Sequence, residues 1–555
     1  MRKPRILWCG EASFLNTGYS IYGREVLGRL FSTKKYEIAE LSSYGKIDDD
    51  RRFDIPWTYY ANMPSEEERD IYNSVVSYQF GQWRFEDVCL DFRPDIVCDI
   101  RDWWMMQHEA DSAFRPYYHW MIMPAVDCHP LKEEYVEMCL NADVVFSYSE
   151  YGRDIINHST KGLGPQVAGV CSPAASPTFS PVPNKDQHKQ DMGFMDDVKI
   201  IGSVMRNQKR KLFPNLIESF AKFIQKCPEE SKNTYLYLHT SYPDVGWDIP
   251  KLITESGVSN RILFTYQCKN DLCGGWFPSF YRGSAINCTH CGEKQAVIVN
   301  ALTSLHEKEL AKIINSFDLY VQYSICEGFG MPQVESAMCG VPVVSVDHSA
   351  MSSVIDNIGA TSIPVKTLFR EHATHGFRAY PDDDGLVDAF QQFFSLPKSV
   401  RYKNGRDTYD KAKERYNWDT TAAMWEEAIQ SVPLRDHRET WASPPKIFTP
   451  NTERPSNWQS MSSDEFAKWG MLNLLGEPEK VNSWMHLKLA RQLDSGVNVS
   501  KSGVEGSVKI DPYHPSDLNE YLYTIREIKN IWEEKRVTQQ TRIPDFIRLA
   551  KREGD

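Results

Sequence analysis

The chain contains no run of the roughly 20 apolar residues that a membrane-spanning helix needs, which excludes a helical membrane protein and makes a soluble one the expectation. Its basic start, Met-Arg-Lys-Pro-Arg-Ile, leads directly into a strand-like segment without the longer apolar core of a secretory signal, and so points to the cytoplasm. Positive charge is also in deficit: 63 Lys and Arg against 75 Asp and Glu leave a net charge of −12, which argues against a surface coated for nucleic acid while leaving a local basic groove open. Thirteen cysteines is an odd number, and Cys9, Cys89, Cys98 and Cys339 fall inside apolar segments, so a disulfide framework is not expected. What remains is an ordinary apolar fraction, plentiful Trp and Tyr, and a length of 555 residues, enough for about two to four domains with ample core.

The most informative stretch is Phe317 to Val346, FDLYVQYSICEGFGMPQVESAMCGVPVVSV. Leu319 to Tyr323 has the length and composition of a strand, a glycine-bearing turn follows at Glu327 to Gly330, and Met331 to Cys339 has helical spacing until Gly340 stops it. Val341 to Val346, apolar nearly throughout, is the next strand of a parallel sheet covered on both faces. Gly328 and Gly330 allow close approach of backbone to a ligand, and the helix that begins after them directs unpaired N–H groups and its positive end into that space, which suits a diphosphate. Glu327 on the loop and Glu335 about one turn into the helix are spaced to line one crevice, where carboxylates accept hydrogen bonds from sugar or ribose hydroxyls.

The segment EGFGMPQVESAMCGVPVV resembles the signature of retaining GT-B glycosyltransferases of family 4. The resemblance implies two facing Rossmann-like α/β domains, a nucleotide-sugar donor, a hydroxyl acceptor and retention of anomeric configuration. It makes Glu327, Gly328, Phe329 and Gly330 the holders of the donor sugar and Glu335 the holder of the ribose. Further matches run from about residue 5 to 430. Gly18, after Asn16 and Thr17, resembles the family's N-terminal glycine loop near the donor phosphates, although an ordinary strand-to-helix turn explains the same residues, with the helix expected over Arg24 to Leu30. Asp127, in MPAVDCHP, falls where the family often places a residue facing the reaction centre, and is nominated on the acceptor side; a simple turn is the competing explanation. Arg206 and Lys211 reproduce an Arg-x4-Lys pair that grips the donor diphosphate in relatives, cations being what a departing diphosphate requires; a solvated Lys-Arg-Lys run is the alternative. The match fails at Ser172 to Ala174 and at Asp347 to Val354, where an expected polar centre and a Gly-Gly pair are missing.

Between the strand Arg261 to Tyr266 and the strand Ala296 to Val299 lies an insertion that the family core does not require. Cys268-x4-Cys273, fourteen residues, then Cys288-x2-Cys291 resembles a zinc ribbon. Four thiolates leave no open position, so the metal expected is a structural zinc, with no metal at the chemistry; the acidic stretches Asp48 to Asp50 and Asp382 to Asp384 have the character of exposed loops. Trp276, Phe277, Phe280 and Tyr281 among Lys269 and Arg282 suit packing against the metal site, or stacking on nucleobases, which would admit DNA as a partner.

The domain organisation expected is therefore an acceptor domain over 1–183, a polar linker at Asn184 to Asp191, a nucleotide-sugar domain over 192–431 with the ribbon at 267–294, and a linker with a helical extension over 432–555. Helices are expected there at Asp464 to Leu475, Trp484 to Leu493 and Leu518 to Trp532. The acceptor is either a saccharide or other small hydroxyl compound, or a 5-hydroxymethylpyrimidine in phage DNA, in which case the host cytoplasm is the compartment. A non-catalytic protein that binds a sugar nucleotide or nucleic acid on a degenerate fold is the alternative from another class.

Overall fold

Strands whose residues are mostly buried build two largely parallel sheets, as expected of strands covered on both faces by helices. A computed structural model of the chain describes residues 2–270, 272–300 and 305–445, with scattered positions from 456 to 505. The first sheet comprises β1 (Arg5–Glu11), β2 (Glu37–Ser43), β3 (Thr58–Ala61), β4 (Ile96–Asp99), β5 (His119–Ile122), β6 (Val144–Ser147) and β7 (Val167–Val170), in the order β3-β2-β1-β4-β5-β6-β7. All of its pairings are parallel. The second comprises β8 (Lys199–Val204), β9 (Thr234–His239), β10 (Ile262–Cys268), β11 (Trp276–Phe280), β12 (Ala296–Ile298), β13 (Leu319–Gln322), β14 (Val343–Val346) and β15 (Thr361–Ile363). Its order is β11-β10-β9-β8-β13-β14-β15, with β12 also on β10. A hairpin of β16 (Val365–Arg370) and β17 (Phe377–Pro381) follows.

The insertion extends the edge of this second sheet. Strands β11 and β12 both run antiparallel to β10, so the extra residues cover an edge strand that would otherwise present unpaired backbone groups. Helix Trp418–Ser431, capped by Asn417, crosses back onto the first sheet, where Trp425 donates to the Tyr22 hydroxyl at 2.9 Å and packs on Trp8 at 5.2 Å. The chain then lies along the first domain as far as Trp441, which is buried against Phe114 and Tyr117.

Three expectations change. The polar stretch Asn184 to Asp191 is a capped helix, Lys185–Asp191, and not a linker. Lys189 is buried with its ammonium on Asp318 at 2.5 Å and on the Val198 carbonyl at 2.9 Å, so a side chain that marks solvent in the sequence here locks the helix to the second domain. The first helix starts at Gly18, six residues earlier than expected, because Thr17 caps it by accepting the Ser20 amide at 3.2 Å. Asp382 and Asp383 are not free loop acids: Asp382 caps helix Asp383–Ser395, and Asp383 accepts from Asn215 and the Tyr323 hydroxyl. Of the extension, residues 465, 468, 469, 472 and 473 are helical; the helices expected at Trp484 to Leu493 and Leu518 to Trp532 lie outside the described residues. Among the described residues no helix is long and apolar enough to cross a membrane.

Candidate functional site

The two sheets meet at their carboxyl ends, the place where open α/β sheets bind ligands. From the second sheet, β13 delivers the turn Glu327–Gly330 and the helix Met331–Met338 that follows it. Gly330 has φ 88°, and a Cβ there would lie 2.5 Å from the Gln333 amide nitrogen, so only glycine fits. Gly328 faces the first domain, where a Cβ would come within 3.1 Å of the Ala125 Cβ. Phe329 turns away from the cleft and packs edge-on against Tyr416 at 5.6 Å, leaving only its backbone toward the site. Gly18 meets the same helix from the opposite wall, with Met331 Sδ 3.6 Å from the position of its missing Cβ.

Glu327 is 4% exposed and saturated with donors. Its Oε1 accepts from Lys211 Nζ, from Gln322 Nε2 at 2.7 Å and from Ser324 Oγ at 2.8 Å, while its Oε2 accepts from Arg210 Nη1 at 2.7 Å. Burial alone would raise its pKa; Arg210 and Lys211 outweigh burial and hold the carboxyl at about 2, ionised at any working pH. The expected Arg206 and Lys211 pair is thus divided. Lys211 is buried on Glu327, whereas Arg206 lies at the rim, forked onto Asp244 at 2.9 and 3.0 Å. Arg210, inside the run Lys209-Arg210-Lys211, is the cation that sequence reasoning missed: the run has the composition of a solvated patch, and only the approach of the Ser324 to Glu327 loop draws Arg210 inward beside Lys211.

Glu335 is 7% exposed, and its carboxyl has no hydrogen-bond partner among the described residues. Burial, reinforced by Glu307, pushes its pKa up to about 8. Across the cleft the first sheet contributes carboxylates that the sequence did not single out apart from Asp127. Glu11, at the end of β1, is raised by burial, with Thr17, Arg101 and Arg206 opposing. Asp102, after β4, is pushed up to about 7 by burial together with Asp127. Asp127 itself joins the domains, pairing with Arg378 of the hairpin at 2.7 Å and accepting the Cys326 thiol at 3.4 Å.

In the insertion the four nominated cysteines converge. All four sulfurs lie within 4.8 Å of one another, with Cys268 and Cys291 3.6 Å apart and Cys273 and Cys288 3.8 Å apart. A tetrahedron of thiolates at about 2.3 Å from a zinc ion has sulfurs about 3.8 Å apart, so the cluster can hold a metal of that kind. His290 is directed elsewhere, its ring against Gly275 and the Trp276 carbonyl. The aromatics proposed for stacking on nucleobases are engaged in packing: Trp276 donates to Glu309 at 2.6 Å, Phe277 stacks on Tyr266, Phe280 packs at a tilt against Tyr235 and Tyr281 edge-on against Phe264. Nothing in this arrangement favours DNA.

Residues 294–367, which include the Glu327 turn and Glu335, match the family model of the glycosyl transferases group 1. The architecture is GT-B. Sucrose-phosphate synthase from Thermosynechococcus elongatus is similar with TM-score 0.54 at 15% identity, over 77% of this chain and 98% of its own. HepE from Anabaena, solved with UDP and glucose, has TM-score 0.51 at 13% identity, over 77% of this chain and all of its own, 100%. An Escherichia coli trehalose-6-phosphate protein bound to UDP-2-fluoro glucose has TM-score 0.52 at 12% identity, over 78% of this chain and 100% of its own. No curated protein matches the chain. Family model and GT-B architecture together support a GT-B glycosyltransferase, while identities this low establish the fold alone.

Proposed function

We propose that the protein is a retaining glycosyltransferase of family 4 that moves a sugar from a nucleotide-sugar donor to a hydroxyl acceptor. The observation that carries this reading is the Gly328–Gly330 turn and the helix start behind it, set beside a cation-bound Glu327 at the mouth of two facing parallel sheets. Amides at that helix start, with Arg206, Arg210 and Lys211, supply positive charge where a diphosphate gains negative charge as the sugar leaves. Glu327 holds Lys211 and Arg210 in place, and Glu335 accepts from the ribose hydroxyls. UDP sugars are the first donors to try, since one structural neighbour is solved with UDP and glucose and another with UDP-2-fluoro glucose. The Cys268, Cys273, Cys288 and Cys291 cluster is a structural zinc site at the edge of the second sheet, three strands from β13.

The first-domain wall selects the acceptor. Glu11, Asp102 and Asp127 offer oxygens that hydrogen-bond hydroxyls, which suits a saccharide or another small hydroxyl compound. A screen of nucleotide sugars by thermal shift tests the reading, because a ligand bound only by the folded state raises the melting temperature. A shift with one donor, followed by release of its nucleoside diphosphate, is expected; no shift with any of them, in metal-loaded protein, overturns it.

Glu335→Gln separates binding from stability. A carboxyl whose folded pKa is about 8, against 4.5 ordinarily, takes up a proton on folding, so the wild type loses stability as pH rises from about 4.5 to 8. The amide does not ionise. The variant is therefore expected to melt above the wild type by a margin that grows from pH 5 to pH 8 and then levels, while donor affinity falls about tenfold. Melting curves at several pH values and titration with the donor check both, and an unchanged affinity removes Glu335 from the site.

A further inference from the structure

The turn between β14 and helix Ala350–Ile358 carries His348 and Ser349 in the segment where the family resemblance led to an expectation of glycines. Ser349 has φ 57° and ψ −149°, a conformation that is strained for a residue with a side chain. Two contacts hold it there. Ser349 Oγ accepts the Glu327 amide at 3.0 Å, and the Ala350 amide reaches the Glu327 carbonyl at 3.3 Å. The strained turn is thereby tied to the loop that carries Glu327, and His348, the residue before Ser349, is buried in the same turn.

His348 is 7% exposed, and its Nε2 has no hydrogen-bond partner among the described residues. A ring nitrogen buried without a partner is costly, and an unmet polar atom of this kind calls for a ligand atom. The groups whose charges act on the ring come from both walls of the cleft: His129 and Asp127 from the loop after β5, and Arg378 from the hairpin. Burial keeps the imidazole pKa below its usual value, against the opposing pull of the Phe377 backbone, so the ring is neutral and its free nitrogen donates or accepts according to tautomer.

We propose that His348 is a substrate-contacting residue whose Nε2 hydrogen-bonds one hydroxyl of the donor sugar beside the Glu327 loop, and that this contact selects which sugar is transferred. The inference rests on the glycosyltransferase reading above. A site built to hydrogen-bond a hydroxyl rejects an analogue that lacks it far more strongly than an apolar pocket rejects an extra methylene.

The test measures release of nucleoside diphosphate from UDP-glucose, UDP-galactose and GDP-mannose, and from monodeoxy analogues of the preferred donor, with wild type, His348→Ala and His348→Gln. His348→Ala is expected to lower kcat/KM for the preferred donor by about 10–100-fold, and to cost nothing further on the one deoxy analogue that lacks the contacted hydroxyl. His348→Gln is expected to recover part of the loss. Binding of UDP or GDP alone, followed by calorimetry, is expected to stay within about twofold, since neither carries the sugar. An equal loss on every analogue, or a matching loss of UDP or GDP affinity, assigns His348 a purely structural role and overturns the inference. Turnover by the wild type with an indifferent His348→Ala variant overturns the inference alone; no turnover of any donor by the wild type overturns the glycosyltransferase reading and the inference with it.

Discussion

Lys211→Ala is expected to lower turnover by about 10²–10³-fold with little change in donor affinity, and to destabilise the fold at the same time. The turnover loss follows from removing a cation where the leaving diphosphate gains charge. The stability loss has a separate origin. Lys211 and Glu327 are both buried, and taking away one partner of a buried pair usually costs about 3–5 kcal/mol because the other charge is left in a poor environment. Glu327 here retains Arg210, Gln322 and Ser324, so the lower end of that range is expected, a fall in Tm of about 6–12 °C. Lys211→Met keeps the aliphatic stem and is expected to lose the same turnover, which separates charge from packing. Steady-state release of nucleoside diphosphate and calorimetric melting measure the two effects. Wild-type kcat in either variant would remove Lys211 from the chemistry.

The second large effect concerns the metal. Purified protein is expected to contain one zinc per chain, and Cys288→Ser, which replaces a buried sulfur of the cluster, is expected to contain none. Structural zinc sites hold their ion with about 10–16 kcal/mol of apparent binding free energy, most of it spent on folding the segment around it. The insertion has little core of its own, so removing the ion with a strong chelator is expected to unpair β11 and β12 while β10 keeps its parallel partner β9. Hydrogen exchange at residues 276–280 and 296–298 should rise by orders of magnitude, and the exposed edge of β10 should promote aggregation. Metal content by mass spectrometry checks the first statement and exchange checks the second. A Cys288→Ser protein that still binds zinc with wild-type exchange rates would show the cluster to be dispensable.

The same contrast between chemistry fixed locally and geometry fixed at long range runs through the rest of the molecule. The turn at Gly328 and Gly330, the helix that starts at Met331 and the strands on either side were visible as apolar period and glycine punctuation, which are local signals. The four cysteines were visible because their spacing already constrains a metal site. The capped helix Lys185–Asp191 was hidden for the converse reason: its composition is polar, and the burial of Lys189 depends on Asp318, 129 residues away. The first-domain wall was hidden too, since Glu11 and Asp102 follow strands far apart in the chain and meet only because β1 and β4 are neighbours in the sheet.

By itself, then, the amino-acid sequence determined the α/β class, the glycine turn between β13 and the helix after it, the cysteine set and the absence of long apolar runs, because each is written in the type and spacing of residues along one segment. Only the tertiary structure decided that Arg210 and not Arg206 joins Lys211 on Glu327, that Phe329 packs away from the cleft, that Arg378 ties Asp127 across the domains and that His348 is buried with a free nitrogen. Those outcomes depend on which distant segments displace water from a charge or a ring, and no local pattern encodes that.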